Sequence, residues 1–325
     1  MICIKSPFRV SYFGGGSDFP EWFNYNGGSV LTSTINKYVY LLIKDQGHNK
    51  KKYSFQYSSL EQTNQATHIK HPAFKKFIKH HNIKNIDLTF LSDLPSFSGL
   101  ASSSALTVSL MNYFYNSSSK KNFSKRNLAL KSIEFERNIL KEKVGYQDQV
   151  AIAYGGINKI TFNNNQFKCT KINISNSTKR KLNKNFILLD SGIQRFSSNV
   201  QKDLVKSFEK SRKLNLYLLD MVKYVDIGKK YLENGEIDNF GKLFDLYWKL
   251  KKQSNPISVS NQIEYIYDMA IDHGAYGGKL LGAGSGGFFL FYVPEKNQKN
   301  FYSLTKKFNL FNYEVSDQGS EIKVI

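Results

Sequence analysis

The chain has 325 residues, enough for two domains, and 41% of them are hydrophobic. Its 25 Phe and 20 Tyr can fill substantial cores, which excludes a globally disordered protein. No run reaches the roughly 18 apolar residues that a membrane-spanning helix needs, and the N-terminal stretch MICIKSPFRV lacks the apolar core of a signal peptide. Because two cysteines make no disulfide framework, we expect a cytoplasmic protein. We also expect no membrane partner, and either a monomer or a homodimer.

The formal net charge of +20 favours an anionic partner. A basic chain can bind nucleic acid, or it can attract small anionic substrates by electrostatic steering. The lysines are scattered rather than gathered in one stripe, and no zinc-finger spacing or RNP-like motif accompanies them. We therefore expect an acidic small-molecule ligand and no nucleic acid. The nucleic-acid alternative would reveal itself by tight, salt-sensitive binding of DNA or RNA.

The first half of the chain predicts strands and helices in mixed order. The predicted strands are rich in Val, Ile, Thr and Tyr or alternate polar and apolar side chains. The predicted helices have apolar residues three or four positions apart, and Ser124 is a suitable N-cap for the second of them. We expect strands at residues 29–43, 86–91 and 157–162 and helices at residues 105–115 and 124–143, with the polar stretch NNNQ as a hairpin turn.

The second half also contains strands and helices in mixed order, and the sequence shows no internal repeat. FILLDSG, from residue 186, predicts a buried strand, and FFLFYV predicts another at residues 288–293. A long helical tract is expected from about residue 198 to residue 233, and NPIS interrupts the helices that follow. The last of these helices, which contains residues 263–271, is closed by Gly274. We place the domain boundary near residue 184, which gives domains of residues 1–184 and 185–325.

Three segments rich in glycine and serine interrupt these elements: FGGGSD at 13–18, SGLASSSA at 98–105 and LGAGSGGF at 281–288. Glycine lets the backbone approach a ligand closely, and N–H groups that lead into a helix form an anion site. The second segment precedes an apolar helix and therefore predicts a phosphate site, with a serine-rich cap that binds no ligand as the alternative. It matches neither the Walker A loop nor the Rossmann fingerprint.

The same three segments resemble the motifs of the GHMP kinases, in the order of that superfamily. PSFSGLASSSA is similar to the phosphate-binding motif PxxxGLGSSAA, with Ala101 in place of a glycine and Ser104 in place of an alanine. Arg9 and Asp18 have the nine-residue separation of the galactokinase signature, and LLGAGSGGF resembles the third motif. The resemblance implies an α+β fold with an N-terminal domain like ribosomal protein S5 domain 2 and a ferredoxin-like C-terminal domain. ATP and the acceptor would meet in the cleft between them.

Within the superfamily, SPFRVSYFGGGSDFP, INKYVY and VGYQDQVAIAYGGIN most resemble the D-glycero-D-manno-heptose 7-phosphate kinases. The resemblance implies an enzyme that phosphorylates the anomeric C1 hydroxyl of this sugar phosphate. The product would be the 1,7-bisphosphate, used for nucleotide-heptose and surface polysaccharide synthesis. GGGSD differs from the GEHTD of galactokinases, which disfavours galactose. A fucokinase-like sugar-1-kinase and a non-catalytic sugar sensor of the same fold are the alternatives.

The resemblance also implies roles for individual residues. Asp148, in GYQDQ, matches the catalytic base, and Arg9 would orient it and offset the developing phosphate charge; an ordinary loop carboxylate and a structural ion pair are the alternatives. Mg²⁺, which prefers oxygen ligands, would be held by Ser103 and Glu136, with Glu134 as the other candidate carboxylate. The triphosphate of ATP would contact Pro95, Ser98, Gly99, Leu100, Ala101, Ser102, Ser103 and Ser104.

Sugar contacts are expected in the first and third glycine segments. Gly16, Ser17 and Asp18 would contact the sugar, because a carboxylate accepts strong hydrogen bonds from a polyol; capping of the turn is the alternative. Gly284 and Ser285 would border the substrate or pack the second domain against the first.

Arg195 is the candidate ligand for the phosphate that the sugar already carries. It follows the end of a predicted strand and precedes serines that can cap the long helix. An arginine beside a helix N-terminus combines a bidentate donor with free N–H groups. The alternative is an ordinary surface residue.

Overall fold

The strands of this protein form two sheets, one of eight strands and one of four. The structure is a computed structural model that describes residues 1–45, 52–95, 98–118, 123–193, 204–208, 211–254, 260–282 and 286–325.

The bounds of the elements are as follows. The strands are β1 (Ile2–Phe13), β2 (Gly28–Asp45), β3 (Tyr53–Gln56), β4 (Leu60–Thr63), β5 (Ile86–Ser92), β6 (Ile157–Asn163), β7 (Gln166–Lys171), β8 (Phe186–Asp190), β9 (Gly277–Leu280), β10 (Phe288–Tyr292), β11 (Leu310–Asn312) and β12 (Glu321–Val324). The helices are α1 (Pro20–Asn26), α2 (Pro72–His80), α3 (Ser102–Ser118), α4 (Lys125–Glu134), α5 (Gln147–Tyr154), α6 (Asn176–Asn185), α7 (Arg212–Asn234), α8 (Ile237–Ser254), α9 (Asn261–Asp272) and α10 (Glu295–Phe301). A π-helical turn, Phe135–Ile139, extends α4, and 3-10 turns lie at Ala66–His68 and Tyr302–Lys306.

The eight-stranded sheet is built around β1 and β2. β1 pairs antiparallel with β2 on one side and with β12 on the other, so the C-terminal end of the chain completes the sheet that the N-terminal end begins. The two ends of β2 pair with different strands, β6 along residues 28–33 and β5 along residues 39–45. β3 runs parallel to β5, and β4 forms the edge beyond β3.

β1 was not among the predicted strands, and its irregular pairing explains why. Pro7 has no N–H group to donate, which argues against a central strand. The structure accommodates this proline with a register shift against β2 between Pro7 and Phe8, and a second shift occurs between Ser11 and Phe13. Shifts of this kind locally kink and twist a strand. Arg9, a predicted site residue, therefore lies between two irregular positions.

Helices from both halves of the chain pack on the eight-stranded sheet. α3, α4 and α5 contact one another, and α3 and α5 also contact β1 and β2. α7 contacts the same two strands. A Cβ at Gly228, in α7, would lie 2.7 Å from the ring of Phe13, so this helix approaches β1 closely. The sheet that carries Arg9 is thus covered by elements from both halves.

The four-stranded sheet is antiparallel, in the order β11-β8-β10-β9. Every residue of β10 is buried, as expected for a central strand. Its Phe289 packs against Trp248 of α8 with ring centroids 5.9 Å apart. One residue earlier in α8, Tyr247 packs against Phe13 of β1 at 5.1 Å. α8 therefore bridges the two sheets and lies between the cores.

The α+β class is confirmed, and each predicted strand is present with its bounds shifted by one or two residues. The predicted helix at residues 105–115 begins earlier, at Ser102, and the helix that Ser124 caps ends at Ile139 rather than near residue 143. The tract expected at 198–233 contains the helix α7, while residues 194–203 are not among those described. The division at residue 184 stays a prediction: the chain enters the second sheet at Phe186, but β12 returns to the first.

Candidate active site

Arg9 connects the second glycine segment with the first turn of α5. Its side chain is 5% exposed, and Nη2 lies 2.5 Å from Oδ1 of Asp148. Nη1 donates a hydrogen bond to the carbonyl oxygen of Gly99 at 3.2 Å, and the backbone N–H of Arg9 donates to that of Leu100 at 3.0 Å. One guanidinium thus holds both a carboxylate and a backbone loop. The fork of an arginine suits such a double contact.

Asp148 stands in the first turn of α5, where the helix dipole favours a carboxylate. Its side chain is 25% exposed, in contrast to the buried Arg9. Oδ1 also accepts a hydrogen bond from Nε2 of Gln147 at 3.3 Å, and the other end of that amide, Oε1, accepts from the hydroxyl of Ser11 at 2.7 Å. Both contacts within the described chain are made by Oδ1. The position of this oxygen is therefore set by side chains of two elements, β1 and α5.

Asp18 is hydrogen-bonded to the turn that leads to Asp148. Its Oδ2 accepts a hydrogen bond from the backbone N–H of Gln147 at 3.2 Å, and its Oδ1 accepts from that of Gly16 at 3.0 Å. A Cβ at Gly145 would lie 1.9 Å from Oδ2 of Asp18, so this turn requires glycine. Burial, and then the charge of Asp148, raise the pKa of Asp18 to about 6.

Ser17 has the turn-capping role that the sequence left as an alternative. Its side chain is fully buried, and its hydroxyl lies within hydrogen-bond distance of the carbonyl oxygens of Gly14 (2.8 Å) and Ser29 (3.0 Å). The same oxygen accepts from the backbone N–H of Ser29 at 3.1 Å. These contacts occupy the hydroxyl. We therefore leave Ser17 out of the proposed sugar contacts and retain Gly16 and Asp18.

Glu136 lies in the π-helical turn after α4 and is fully buried. Its Oε2 accepts hydrogen bonds from Oγ of Ser104 at 3.2 Å and from Nε2 of Gln149 at 2.6 Å. Its Oε1 has no hydrogen-bond partner among the residues that the structure describes. Burial, followed by the charges of Glu142 and Asp148, raises the pKa of Glu136 to about 8. A buried carboxylate oxygen without a partner fits a hard cation, which would stabilise its charged form.

The structure distinguishes Glu134 from Glu136, the two carboxylates between which the sequence analysis did not decide. Glu134 is half exposed and pairs with Lys131 at 2.8 Å, so it faces away from the site. The hydroxyl on Glu136 belongs to Ser104, whereas Ser103 is exposed. Successive helical residues point about 100° apart, so these two serines cannot both face one carboxylate. In this structure the hydroxyl beside Glu136 is that of Ser104, and this hydroxyl and carboxylate suit Mg²⁺. The expected role of Ser103 at the metal stays a prediction.

The segment before α3 places an alanine, rather than a residue with a capping side chain, directly before the first residue of this helix. The helix begins at Ser102, which puts Ala101 at the N-cap position, and its methyl group cannot accept a hydrogen bond. Ala101 and Gly99 have φ angles of +67° and +75°, in the left-handed region. The N–H groups of Ser103 and Ser104 belong to the positive end of the helix dipole. This arrangement suits an anion such as a phosphate.

The backbone of the third glycine segment packs directly against that of the second. A Cβ at Gly99 would lie 2.7 Å from the carbonyl oxygen of Leu281, and a Cβ at Gly282 would lie 2.7 Å from Cα of Gly99. The backbone N–H of Phe288 donates to the carbonyl oxygen of Ser98 at 3.0 Å. The two backbones are therefore in contact, which only residues without side chains permit.

Lys279, on β9, is one of two lysines near Arg9 that the sequence did not single out. It is 3% exposed, and Nζ donates to the carbonyl oxygens of Ser11 and Tyr12, each at 2.9 Å. Burial, then the charges of Lys251 and Arg9, lower its pKa well below the ordinary value. Because it binds β1 from the second sheet, its role is to join the two halves beside the site.

Lys251, near the end of α8, is the second lysine near Arg9 that the sequence did not single out. Its Nζ donates to the carbonyl oxygen of Leu280 at 3.1 Å and lies 3.5 Å from that of Gly282. Burial, and then the charge of Arg9, lower the pKa of Lys251 to about 8. Among 46 Lys and Arg residues, no local pattern marks these two lysines.

The structure thus places five predicted site residues close together: Arg9, Asp18, Gly99, Glu136 and Asp148. Leu100 is fully buried beside them, and Pro95 is exposed at the start of the loop. Arg195, Gly284 and Ser285 fall in the ranges that the structure does not describe. In the described chain, no group of three His, Cys, Asp or Glu side chains could hold a metal by itself, and no helix could cross a membrane.

Comparison with known proteins identifies the family. The family models for the GHMP kinases N terminal domain and the GHMP kinases C terminal region match residues 67–156 and 229–307, more than half of the chain together. A D-glycero-alpha-D-manno-heptose 7-phosphate kinase of Campylobacter jejuni is 27% identical, over 98% of this chain and 94% of that protein. A galactokinase of Thermotoga neapolitana is 23% identical over 99% of both chains.

The fold agrees with this comparison. The crystal structure of a D-glycero-D-manno-heptose 1-phosphate kinase from Bacteroides thetaiotaomicron superposes with a TM-score of 0.79, at 21% identity, over 100% of this chain and 99% of the other. A mevalonate kinase crystal structure superposes with a TM-score of 0.72, at 20% identity, over 97% and 99%. These likenesses establish the two-domain GHMP kinase fold. The chain belongs to the GHMP kinases, and it is therefore an ATP-dependent phosphotransferase whose acceptor is an alcohol group.

Proposed function

We propose that this protein is a sugar kinase that transfers the γ-phosphoryl group of ATP to the anomeric C1 hydroxyl of D-glycero-D-manno-heptose 7-phosphate. The product is the 1,7-bisphosphate, and the transfer requires Mg²⁺. The observation that carries the proposal is the 2.5 Å contact between Arg9 and Asp148, held at the glycine loop by a second bond from Arg9. The choice of sugar rests on the relative named a heptose 7-phosphate kinase, which aligns over 98% of this chain.

The proposed transfer needs little covalent chemistry from the protein. The C1 oxygen forms a bond to the γ-phosphorus while the bond from that phosphorus to the bridging oxygen breaks, and ADP leaves. Asp148 accepts the proton of the C1 hydroxyl, and Arg9 fixes the orientation of that carboxylate. Gly16 and Asp18 supply the polar contacts to the sugar beside it. A sugar sensor without activity would have no use for this arrangement.

The donor nucleotide would bind at the start of α3. The backbone N–H groups of Ser102, Ser103 and Ser104 and the loop from Ser98 to Ala101 hold its phosphates. Ser104 and Glu136 would hold Mg²⁺. When bound there, Mg²⁺ would supply positive charge that offsets part of the negative charge developing on the phosphates.

Replacing Asp148 by Asn tests the proposed proton acceptor. The variant keeps the size of the side chain but cannot take up the proton, so we expect kcat to fall about 10²- to 10⁴-fold. ADP release is measured with heptose 7-phosphate, and the chemical step is shown to limit the rate by single-turnover kinetics. Asp226→Asn, at an exposed ion pair with Lys159, is the matched control and should retain normal kcat. A normal kcat for Asp148→Asn would show that this carboxylate is not the base.

A further inference from the structure

The chain between Glu136 and Asp148 joins the two carboxylates to which the proposed reaction assigns the metal and the proton. Glu136 lies in the π-helical turn and Asp148 in the first turn of α5, and residues 140–146 between them form neither helix nor strand. The hydrogen bonds of a regular element therefore do not fix the course of this segment. The placement of one carboxylate relative to the other depends on individual contacts to it.

The side chain of Arg137, the residue after Glu136, reaches the far end of this segment. Its Nη1 donates a hydrogen bond to the carbonyl oxygen of Val144. The next residue is Gly145, at which a Cβ would lie 1.9 Å from Oδ2 of Asp18, so this end of the segment also packs on the proposed sugar loop. One side chain thus spans the segment from the proposed metal carboxylate to the turn before α5.

The second nitrogen of the same guanidinium is anchored outside the segment. Nη2 donates to Oε1 of Glu21, in the first turn of α1, at 2.6 Å. The side chains of Arg137 and Glu21 are only 17% and 27% exposed, so water screens this ion pair weakly. Lys143 lies 3.7 Å from the same oxygen and is 54% exposed, which makes it the weaker partner. Glu21 therefore fixes the direction of the guanidinium.

The contacts of Arg137 act on the backbone, unlike the other bonds to the metal carboxylate. Ser104 and Gln149 both donate to Oε2 of Glu136 and so hold the tip of one side chain. The fork of Arg137 instead ties the carbonyl of Val144, and with it the chain that leads to Asp148, to α1. A planar guanidinium with two fixed donor directions suits this task better than the point charge of a lysine.

We propose that Arg137 is a positioning residue of the transfer site. It sets the placement of Asp148 relative to Glu136 by holding Val144, and Glu21 orients it. The proposal rests on the proposed function above. Arg137 acts through other residues, because both nitrogens of its fork are engaged with the protein. Such positioning is effective since phosphoryl transfer depends on alignment, and a displacement of about 1 Å can cost about 10²-fold in rate.

Replacing Arg137 by Gln tests this role. The variant loses the charge and the fork, so we expect kcat to fall about 10- to 100-fold, while KM for ATP and for heptose 7-phosphate stays within about twofold. Reduced stability alone would lower the fraction of active protein, which single-turnover titration measures and corrects. Arg137→Lys keeps the charge without the fork and should recover only part of the loss.

The partner of Arg137 and an unrelated ion pair provide the controls. Glu21→Gln should also lower kcat, and the double variant should be no slower than Arg137→Gln, because residues that act as a unit have non-additive effects. Lys131→Gln removes an exposed ion pair with Glu134 on the preceding helix and should keep normal kcat. Thermal unfolding verifies that each variant is folded.

Amide hydrogen exchange gives a readout that needs neither metal nor nucleotide. In Arg137→Gln, peptides that cover residues 140–147 should exchange about 10-fold faster than in the unaltered protein, because the segment has lost its tie to α1. Peptides from α3 should exchange at an unchanged rate. Lys131→Gln should leave both regions unchanged.

The outcomes distinguish the possible errors. Normal kcat in Arg137→Gln, with the unaltered enzyme active, would overturn the positioning role. Equal acceleration of exchange along the whole chain would overturn it too, because Arg137 would then contribute only to general stability. A raised KM for heptose 7-phosphate with normal kcat would place Arg137 at the substrate instead. If the unaltered protein transferred no phosphate to any sugar, the proposed function itself would fail, and this role with it.

Discussion

Asp18 shows how one buried carboxylate connects the stability of this protein with its site. It is 5% exposed, and both of its oxygens accept backbone hydrogen bonds, one of them from the residue next to Asp148. Burial and the charge of Asp148 raise its pKa from 3.8 to about 6. The folded protein therefore holds this proton more tightly than the unfolded chain does. The resulting stabilisation is complete below about pH 4 and is lost as the pH rises through about 6.

Replacing Asp18 by Asn should remove this dependence on pH. The free energy of unfolding of the unaltered protein, minus that of Asp18→Asn, should fall by ~2.5 kcal/mol between pH 4 and pH 7, because each pKa unit corresponds to ~1.4 kcal/mol. Urea denaturation at several pH values measures this difference. Hydrogen bonds that the amide of Asn cannot make lower the stability of the variant by the same amount at every pH, so they do not alter the pH dependence of the difference. Asp226→Asn, an exposed carboxylate, should give a flat difference. Parallel curves for Asp18→Asn and the unaltered protein would contradict the raised pKa.

Among individual residues, the sequence predicted the site residues that stand in a motif. It missed those that only the tertiary packing places near the site. Arg9 and Asp148 were expected to interact because each stands in a motif, and they do. Lys251 and Lys279 stand in no motif and reach the site through the packing of α8 and β9. The sequence named Ser103 as the hydroxyl beside Glu136, whereas the hydroxyl that contacts this carboxylate is that of Ser104; one residue along a helix changes the direction of a side chain by about 100°.

The start of α3 is the element in which the sequence departs most from the superfamily motif. Ala101 replaces a glycine, yet it keeps the left-handed backbone, with φ at +67°. An L-residue pays roughly 1–2 kcal/mol for that conformation. The strain is maintained by the contacts of the loop on both sides, through Ser98 and through the bond from Ala105 to the carbonyl of Ala101.

Ala101→Gly should therefore stabilise the protein. Relief of the strain exceeds the entropy that glycine adds to the unfolded chain, so we expect the free energy of unfolding to rise by ~0.5–1 kcal/mol. Ala73→Gly, in the first turn of α2 with ordinary helical geometry, is the opposite control and should destabilise by a similar amount. Chemical denaturation measures both. If the two variants lose stability alike, the left-handed conformation at Ala101 is not a source of strain.

Most of the strands that the sequence missed share a physical cause. β1 is interrupted by Pro7, and β3, β4, β11 and β12 have only three or four residues each. Short strands are stabilised by pairing with neighbours far along the chain, as β12 is with β1, and local propensity carries little of that information. The long or strongly apolar strands β2, β8 and β10 were predicted because their signal is local.

For the whole molecule, the site depends on contacts between the two halves. Gly99 touches Leu281 and Gly282, α8 reaches both cores, and Lys279 binds β1. None of these contacts can be derived from spacing, since they require that both sheets are already formed. The net charge of +20 agrees with the proposed binding of two phosphorylated ligands.

The substrate panel tests the central proposal most directly. ADP release is measured with Mg²⁺ and ATP against D-glycero-D-manno-heptose 7-phosphate, the dephosphorylated heptose, D-galactose and L-fucose, and ³¹P NMR locates the new phosphate. We expect kcat/KM for the heptose 7-phosphate to exceed that of each neutral sugar by about 10² or more, because a site built for a charged group rejects substrates that lack it. The product should carry phosphate at C1 as well as C7. Turnover that is faster with a neutral sugar, or a product phosphorylated elsewhere than C1, would contradict the proposed function.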